Sequence, residues 1–393
     1  MALTVVVISA LVGLVVAEPL ALKDPASVLS QRTVTLGLDL YHTLLKDASL
    51  KTENMVASSL GVMTLGAKDS TASQVKSLLS ADLHEDTLHP AFSELLGEVT
   101  NETTWKMGSR VYASARLSQQ FVEKSKKHYR HDHSEIDFRD KSKALESINQ
   151  WASENTAGRV TEVTRNLPGA DGAMFVNAVY FKPHWGEAFH HAMVDKRGFL
   201  ISKRQSVSVP MMHRTVFYKY YEDEANQLQV VEMPLGLKQT SMLIIMPFHV
   251  EPLDRLEKML SKEQLSAWST CMQEKAVAVS LPRVTVDVSH ELQKHLKELG
   301  LAEAVDKTKA DFSGFTGRRD LHLSAFLHTA ALELDTEGNP FDEQIYGRQE
   351  LKSPNLFYAD HPFIFLVQDK KSGSILLIGR IVKPSGDGNH DEL

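Results

Sequence analysis

The chain has one cysteine, Cys271, in 393 residues. No disulfide can form within it, so any fold must be held by its apolar core. The constraint matters because both ends of the sequence point to an oxidising compartment, where bridges would persist. Met1 to Val16 is almost wholly apolar, and Val15-Val16-Ala17 places small residues for cleavage before Glu18. That run is short for a membrane span. The last four residues, His390-Asp391-Glu392-Leu393, form an HDEL-type retrieval signal that is read by a receptor. Residues 1–17 are therefore expected to be a signal peptide and 18–383 a single domain. Residues 384–393 read as a polar, Gly-containing tether that presents the signal. The expected location is the lumen of the endoplasmic reticulum. Cys271 follows Leu265 and Trp268 in a helix-like stretch over 262–275 and is expected as a buried or half-buried thiol.

Bulk properties exclude several classes. Hydrophobic residues at 42% and charged residues at 24% suit a globular protein with a large core. A formal charge of -7 opposes sequence-independent nucleic-acid binding, which needs a positive field. After the signal the longest apolar run is Met242 to Met246, far short of a spanning helix, so no membrane insertion is expected. Histidine is abundant, with 17 residues. Its titration range separates the endoplasmic reticulum from more acidic compartments, which motivates a pH-switch hypothesis.

The N-terminal third reads as helices. Val28 to Lys46 has Leu36, Leu40 and Leu44 at helical spacing, and Lys143 to Ala157 repeats the pattern with Leu145, Ile148 and Trp151. Thr71 to Gln74 matches a capping box ahead of Val75, Leu78 and Leu79. Strands dominate afterwards, at residues 173–181, 227–233, 241–247 and 276–288. Ser289 is expected to cap a helix carrying Leu292, Leu296 and Leu299, which Gly300 ends. Late strands follow at 321–335, 363–367 and 375–382. Helices first and strands later predict an α+β domain with antiparallel or mixed sheets. Asn101-Glu102-Thr103 is an N-glycosylation sequon.

No catalytic constellation stands out. There is no G-x-S-x-G elbow, phosphate loop or dinucleotide fingerprint. His290 and His295 are five residues apart, about 140° around a helix, so they do not form a shared metal pair. His128, His131 and His133 sit among Lys126, Lys127 and Arg130, and adjacent cations disfavour a metal there. That run reads as a solvated basic face. No metal, cofactor or enzymatic activity is expected.

Two stretches carry a family resemblance. Phe175-Val-Asn-Ala-Val-Tyr-Phe-Lys-Pro-His-Trp185, continuing to Phe189, resembles the serpin signature at the central strand of the main sheet. Ala359-Asp-His-Pro-Phe-Ile-Phe365, with Ile378-Gly-Arg380 and Pro384, resembles the serpin C-terminal signature. The resemblance implies one α+β domain with three β-sheets, about nine helices and an exposed reactive loop between the signatures. Inhibitory serpins insert the cleaved loop into the main sheet. Here the segment after Glu337-Gly338 reads Asn339-Pro340-Phe341-Asp342-Glu343-Gln344. Pro340 cannot donate to a central ladder, and Phe341 and Glu343 would have to enter a packed interior. A non-inhibitory protein is expected; a protease inhibitor and an exported small-ligand carrier are the alternatives.

Within the family, the loop and the segment Leu356-Phe-Tyr-Ala-Asp-His361 resemble the collagen-binding chaperone branch. That resemblance implies a folded procollagen triple helix as partner, release at lower pH and a monomeric chaperone. It assigns Asp360 to a collagen Arg, and Leu356 and Tyr358 to imino-acid rings. Arg197 and Leu200 match positions on the same surface, and His190, His191, His213 and His361 match candidate pH-switch positions. A triple helix exposes rings and Arg side chains, and in an extended segment Leu356, Tyr358 and Asp360 project from one face.

Overall fold

Every residue of Ala173–Phe181 is buried, which a strand shows only when both of its faces are covered. The computed structural model describes residues 25–45, 50–51, 53–79, 84–99, 105–167, 171–189, 193–236, 239–338, 351–370, 373–384 and 387–390. The N-terminal elements are α1 (Pro25–Leu44), β1 (Leu50–Lys51), α2 (Glu53–Gly66), α3 (Asp69–Leu78) and α4 (Glu85–Val99). Then come β2 (Trp105–Ala113), α5 (Gln119–Tyr129), β3 (Asp132–Glu135), α6 (Lys141–Asn155) and β4 (Ala173–Phe181). The middle holds β5 (Val194–Ser202), β6 (Gln205–Asp223), β7 (Leu228–Leu235), β8 (Thr240–Pro247), α7 (Asp254–Met259) and α8 (Lys262–Cys271). After these come β9 (Gln273–Pro282), β10 (Val284–Glu291), α9 (Gln293–Glu298), α10 (Ser313–Thr316) and β11 (Leu323–Leu334). β12 (Asn355–Tyr358), β13 (Phe363–Asp369), β14 (Ile375–Ile381) and β15 (Asp387–His390) close the chain.

β4 lies in a five-stranded sheet of order β10-β11-β4-β2-β3. One face carries α6, whose Ile148 and Trp151 pack on Tyr112, Met174 and Val176. The other face meets helices, with Val111, Phe175 and Phe326 joining Leu60, Val62 and Phe92. Higher up, Val179, Phe181 and Leu332 pack against Met211, Val279 and Phe365 of the second sheet. That second sheet has ten strands, of order β1-β14-β13-β8-β7-β6-β9-β12, with β5 and β15 also paired to β6. The three expected sheets are thus joined into two hydrogen-bonded networks among the described residues. The join is β6, whose early residues pair with β5 and whose late residues pair with β7. Ten helices are described against about nine expected.

Several local expectations are corrected by tertiary bonds. α3 begins at Asp69, before the proposed capping box. Thr71 Oγ1 instead accepts from the Asp311 N–H, and Gln74 Oε1 from the Glu303 N–H. Ser289 caps no helix. It lies in β10, where cross-strand pairing with β11 keeps the chain extended to Glu291, and its hydroxyl meets Thr329. Gly300 does end the following helix, with φ of +115°. The single apolar run over 276–288 is two strands broken at Arg283. Cys271 is exposed, because α8 ends there and turns Trp268 and Met272 inward. The tail is not wholly loose: Asp387–His390 pairs antiparallel with Ser206 to Ser208 of β6.

The C-terminal signature has a structural role. Arg380 donates to Glu257 at 2.6 Å and to the Leu45 carbonyl at 2.8 Å, and Tyr41 also donates to Glu257. Glu257 is almost fully buried, and a buried carboxylate is tolerated when paired in this way.

Candidate functional site

β12 runs parallel to β9 and forms one edge of the large sheet. Alternation puts Phe357 into the core at 0% exposure and leaves Leu356 72% exposed. Tyr358 is half-buried on the same side as Leu356. After β12 the chain turns tightly: the Asp360 N–H donates to the Tyr358 carbonyl at 2.9 Å, and the Asp360 carbonyl accepts from the Leu200 N–H at 2.6 Å. This bond ties β5 to the segment after β12, so Leu200 and Asp360 are brought together. The Asp360 carboxylate is part-exposed, with Oδ1 2.8 Å from His361 Nδ1. No further partner of that carboxylate occurs among the described residues.

His361 is buried between that carboxylate and the Pro247 carbonyl, 2.9 Å from Nε2. Both neighbours can only accept, so a neutral ring satisfies one of them and a protonated ring satisfies both. His213 differs. Its Nε2 lies 2.9 Å from Asp195 and its Nδ1 lies 2.8 Å from Ser280 Oγ. A hydroxyl can donate, so the neutral Nε2–H tautomer satisfies every partner. The His213 ring lies 6.2 Å from the Tyr358 ring. Burial pushes the Tyr358 phenol up against the opposing pull of Arg197.

Arg197 forms a two-pronged pair with Asp195, at 3.0 and 2.6 Å. Hydrogen bonds from Arg197 first, and then from His213, hold the Asp195 carboxyl below its usual range. Leu356, Tyr358, Asp360, Leu200, Arg197, His213 and His361 therefore gather around the junction of β5, β6, β9 and β12. His190, His191 and Asn101 lie outside the described residues, as do Asp391, Glu392 and Leu393; His390 belongs to β15. Asp195 and Ser280 were missed by the sequence reading. Asp195 had a usable signal, a carboxylate two residues before Arg197 on the same strand face. Ser280 had none, since only the register of three strands brings it to His213 and Tyr358.

A second cluster stands over the top of β4 and β11. Lys182 Nζ lies 3.0 Å from Glu333, 3.6 Å from Asp335 and 2.6 Å from Glu337. Trp185 Nε1 donates to the Asp335 carbonyl at 2.6 Å, and the Trp185 N–H to that of Glu337 at 3.0 Å. A Cβ on Gly338 would come within 2.3 Å of Ala188. The chain leaving β11 is thus pressed against the segment that follows β4.

The histidines expected on a solvated basic face are not all there. Arg130 adopts φ of +54° after α5 and turns His131 inward. His131 is fully buried, 3.5 and 3.4 Å from the hydroxyls of Ser58 and Ser59. Burial, then the neighbouring His133, pushes its pKa down to about 3. His133 is pushed down to about 4 by burial and then by Lys126. Both rings are neutral in the fold but protonate near the ordinary histidine value when unfolded. Their contribution to stability is complete above pH ~6.5 and is lost as pH falls through about 4 and about 3. The unfolding free energy from urea titrations should decline on acidification below pH ~6.5, by up to about 1.4 kcal/mol per pH unit for each ring. His131→Gln should flatten the profile; a wild-type profile that is already flat over that window would refute the account.

Comparisons with known proteins bear on the family and the fold. The family model described as Serpin (serine protease inhibitor) matches residues 31–384. Serpin H1 of Gallus gallus is 54% identical over 398 residues, covering 98% of this chain and 98% of the relative. Serpin H1 of Mus musculus is 54% identical over 383 residues, covering 95% of this chain and 92% of the relative. Uncleaved ovalbumin superposes with a TM-score of 0.82 at 24% identity, over 91% of this chain and 100% of that one. That similarity speaks to the fold alone. With its signatures, its two joined sheets and a family match over most of its length, the chain belongs to the serpin family.

Proposed function

We propose that this chain is a non-inhibitory serpin acting as a collagen-specific chaperone of the colligin type. It binds the folded procollagen triple helix in the endoplasmic reticulum and releases it at lower pH. It is a binding protein and carries out no catalytic step. The observation that carries this reading is the part-exposed Asp360 carboxylate, with one oxygen free of partners among the described residues, beside exposed Leu356 and half-buried Tyr358. A triple helix offers the complement, a client Arg for the carboxylate and imino-acid rings for the apolar pair. Relatives named Serpin H1 that align along nearly the whole chain support it.

Arg197 and Leu200 frame the same surface. Arg197 arrives already neutralised by Asp195, so it does not repel the client cation. His361, held between Asp360 and the Pro247 carbonyl, is a candidate for the pH response because it contacts the carboxylate that would bind the client. His213, His190 and His191 remain candidates for the same response. Residues 1–17 would direct entry to the lumen, the HDEL tail would retrieve the protein through its receptor, and Asn101 would carry a glycan.

The test is calorimetric titration with an Arg-containing triple-helical peptide at neutral and mildly acidic pH. Binding at neutral pH that weakens at least about tenfold on acidification supports the reading. Absence of binding by folded protein at neutral pH removes the client.

A further inference from the structure

β6, β9 and β12 stand side by side in matched register. His213 is opposite Ser280, which is opposite Tyr358; Thr215 is opposite Ala278, which is opposite Leu356; Phe217 is opposite Ala276. The intervening residues Val216, Val277, Val279 and Phe357 fill the core, so these rows line the outer face. Beside His213, Thr215 and Phe217 the outward residues of β9 are small, Ala276, Ala278 and Ser280, and Glu274 is the next outward residue. Larger side chains rise on both flanks, from β6 and from β12. The outer face is therefore a trough along β9, with walls two strand spacings apart, about 9–10 Å.

Phe217 stands on the β6 wall, 57% exposed. It and Leu356 are two of the three large apolar side chains that are exposed among the described residues. One such residue is ordinary on a protein surface. Two that share a face, one on each wall of an aligned trough, mark a contact surface. At one end are the Asp360 carboxylate and the Asp195–Arg197 pair; Phe217 and Ala276 stand toward the other, where exposed Lys219 and Glu274 form the next row.

We propose that Phe217 is a further client-binding residue, packing on an imino-acid ring beyond those that meet Leu356 and Tyr358. The proposal rests on the collagen reading above. The row of Phe217 lies four residues from that of Tyr358, about 13 Å along the strands. One Gly-X-Y triplet advances a chain about 9 Å. A triple helix lying along β9 with its Arg at Asp360 therefore carries a further triplet over Phe217.

The test uses the full chain and two sets of triple-helical peptides. In one set the Arg triplet is flanked by imino-acid triplets on both sides; in the other, Ala replaces the imino acids on one flank at a time. Titration with wild type, Phe217→Ser and Phe217→Leu should show coupling. Phe217→Ser should lose roughly tenfold for the fully flanked peptide and nothing further for the peptide lacking rings on the read side. Phe217→Leu should keep most of the affinity. The melting temperature should not move, because Phe217 lies outside the core. Equal binding of wild type and Phe217→Ser across all peptides overturns the proposal; if Asp360→Asn still abolishes binding in that case, the client reading stands without it. If folded wild type binds none of the peptides, the client reading itself fails, and the trough falls with it.

Discussion

Asp360→Asn should lower affinity for an Arg-bearing triple helix by about 2–5 kcal/mol, roughly thirty-fold to several thousand-fold, while leaving the fold intact. The loss is large because a client guanidinium docked beside Tyr358 and Leu356 would be desolvated and left facing a neutral amide. The fold should survive because the backbone bonds of residue 360, from Leu200 and to Tyr358, do not involve the side chain. An amide oxygen can also replace Oδ1 as the acceptor for His361. Calorimetry measures the affinity, and thermal melting by circular dichroism checks the fold. Unchanged affinity in the folded variant would remove Asp360 from the site.

Cleavage within residues 339–350 by a trypsin-like protease should produce no SDS-stable adduct and leave the melting temperature where it was. An inhibitory serpin gains stability on cleavage, because the freed segment becomes a new strand. Insertion here would have to part β4 from β11, which pair in parallel from Ala173 and Leu323 up to Phe181 and Leu332. It would also have to break the Lys182 contacts with Glu333, Asp335 and Glu337. The segment available for insertion carries Pro340, Phe341 and Glu343. Proline offers no ladder donor, and an unpaired buried carboxylate costs several kcal/mol. A rise of many degrees after cleavage, or a covalent complex on a denaturing gel, would restore the inhibitory reading.

Much of the fold was legible in the residues because local chemistry and tertiary context agreed there. The expected strand at 173–181 coincides with β4, since an unbroken apolar run suits a strand covered on both faces. The expected helix from Val28 is α1, whose Leu36, Leu40 and Leu44 all reach the core. Where local signals failed, a distant partner had claimed the group. Thr71 and Gln74 have capping chemistry, but backbone N–H groups from the segment before α10 take their acceptors. Ser289 could start a helix, but β11 holds it in a ladder. His131 looked like part of a basic surface, and one left-handed residue turned it into the interior.

The candidate site divides along the same line. The sequence by itself determined the family, the absence of any internal disulfide and the chemistry of the Leu356–Asp360 segment. It did so because signatures, cysteine count and period-two alternation are properties of neighbours along the chain. Only the tertiary structure decided that Asp195 neutralises Arg197 and that His361 is sandwiched between two acceptors. It alone decided that Phe217 stands on the same face as Leu356. Those facts depend on the register of β5, β6, β9 and β12, strands separated by up to about 150 residues of sequence. Register is set by how all the apolar faces pack at once.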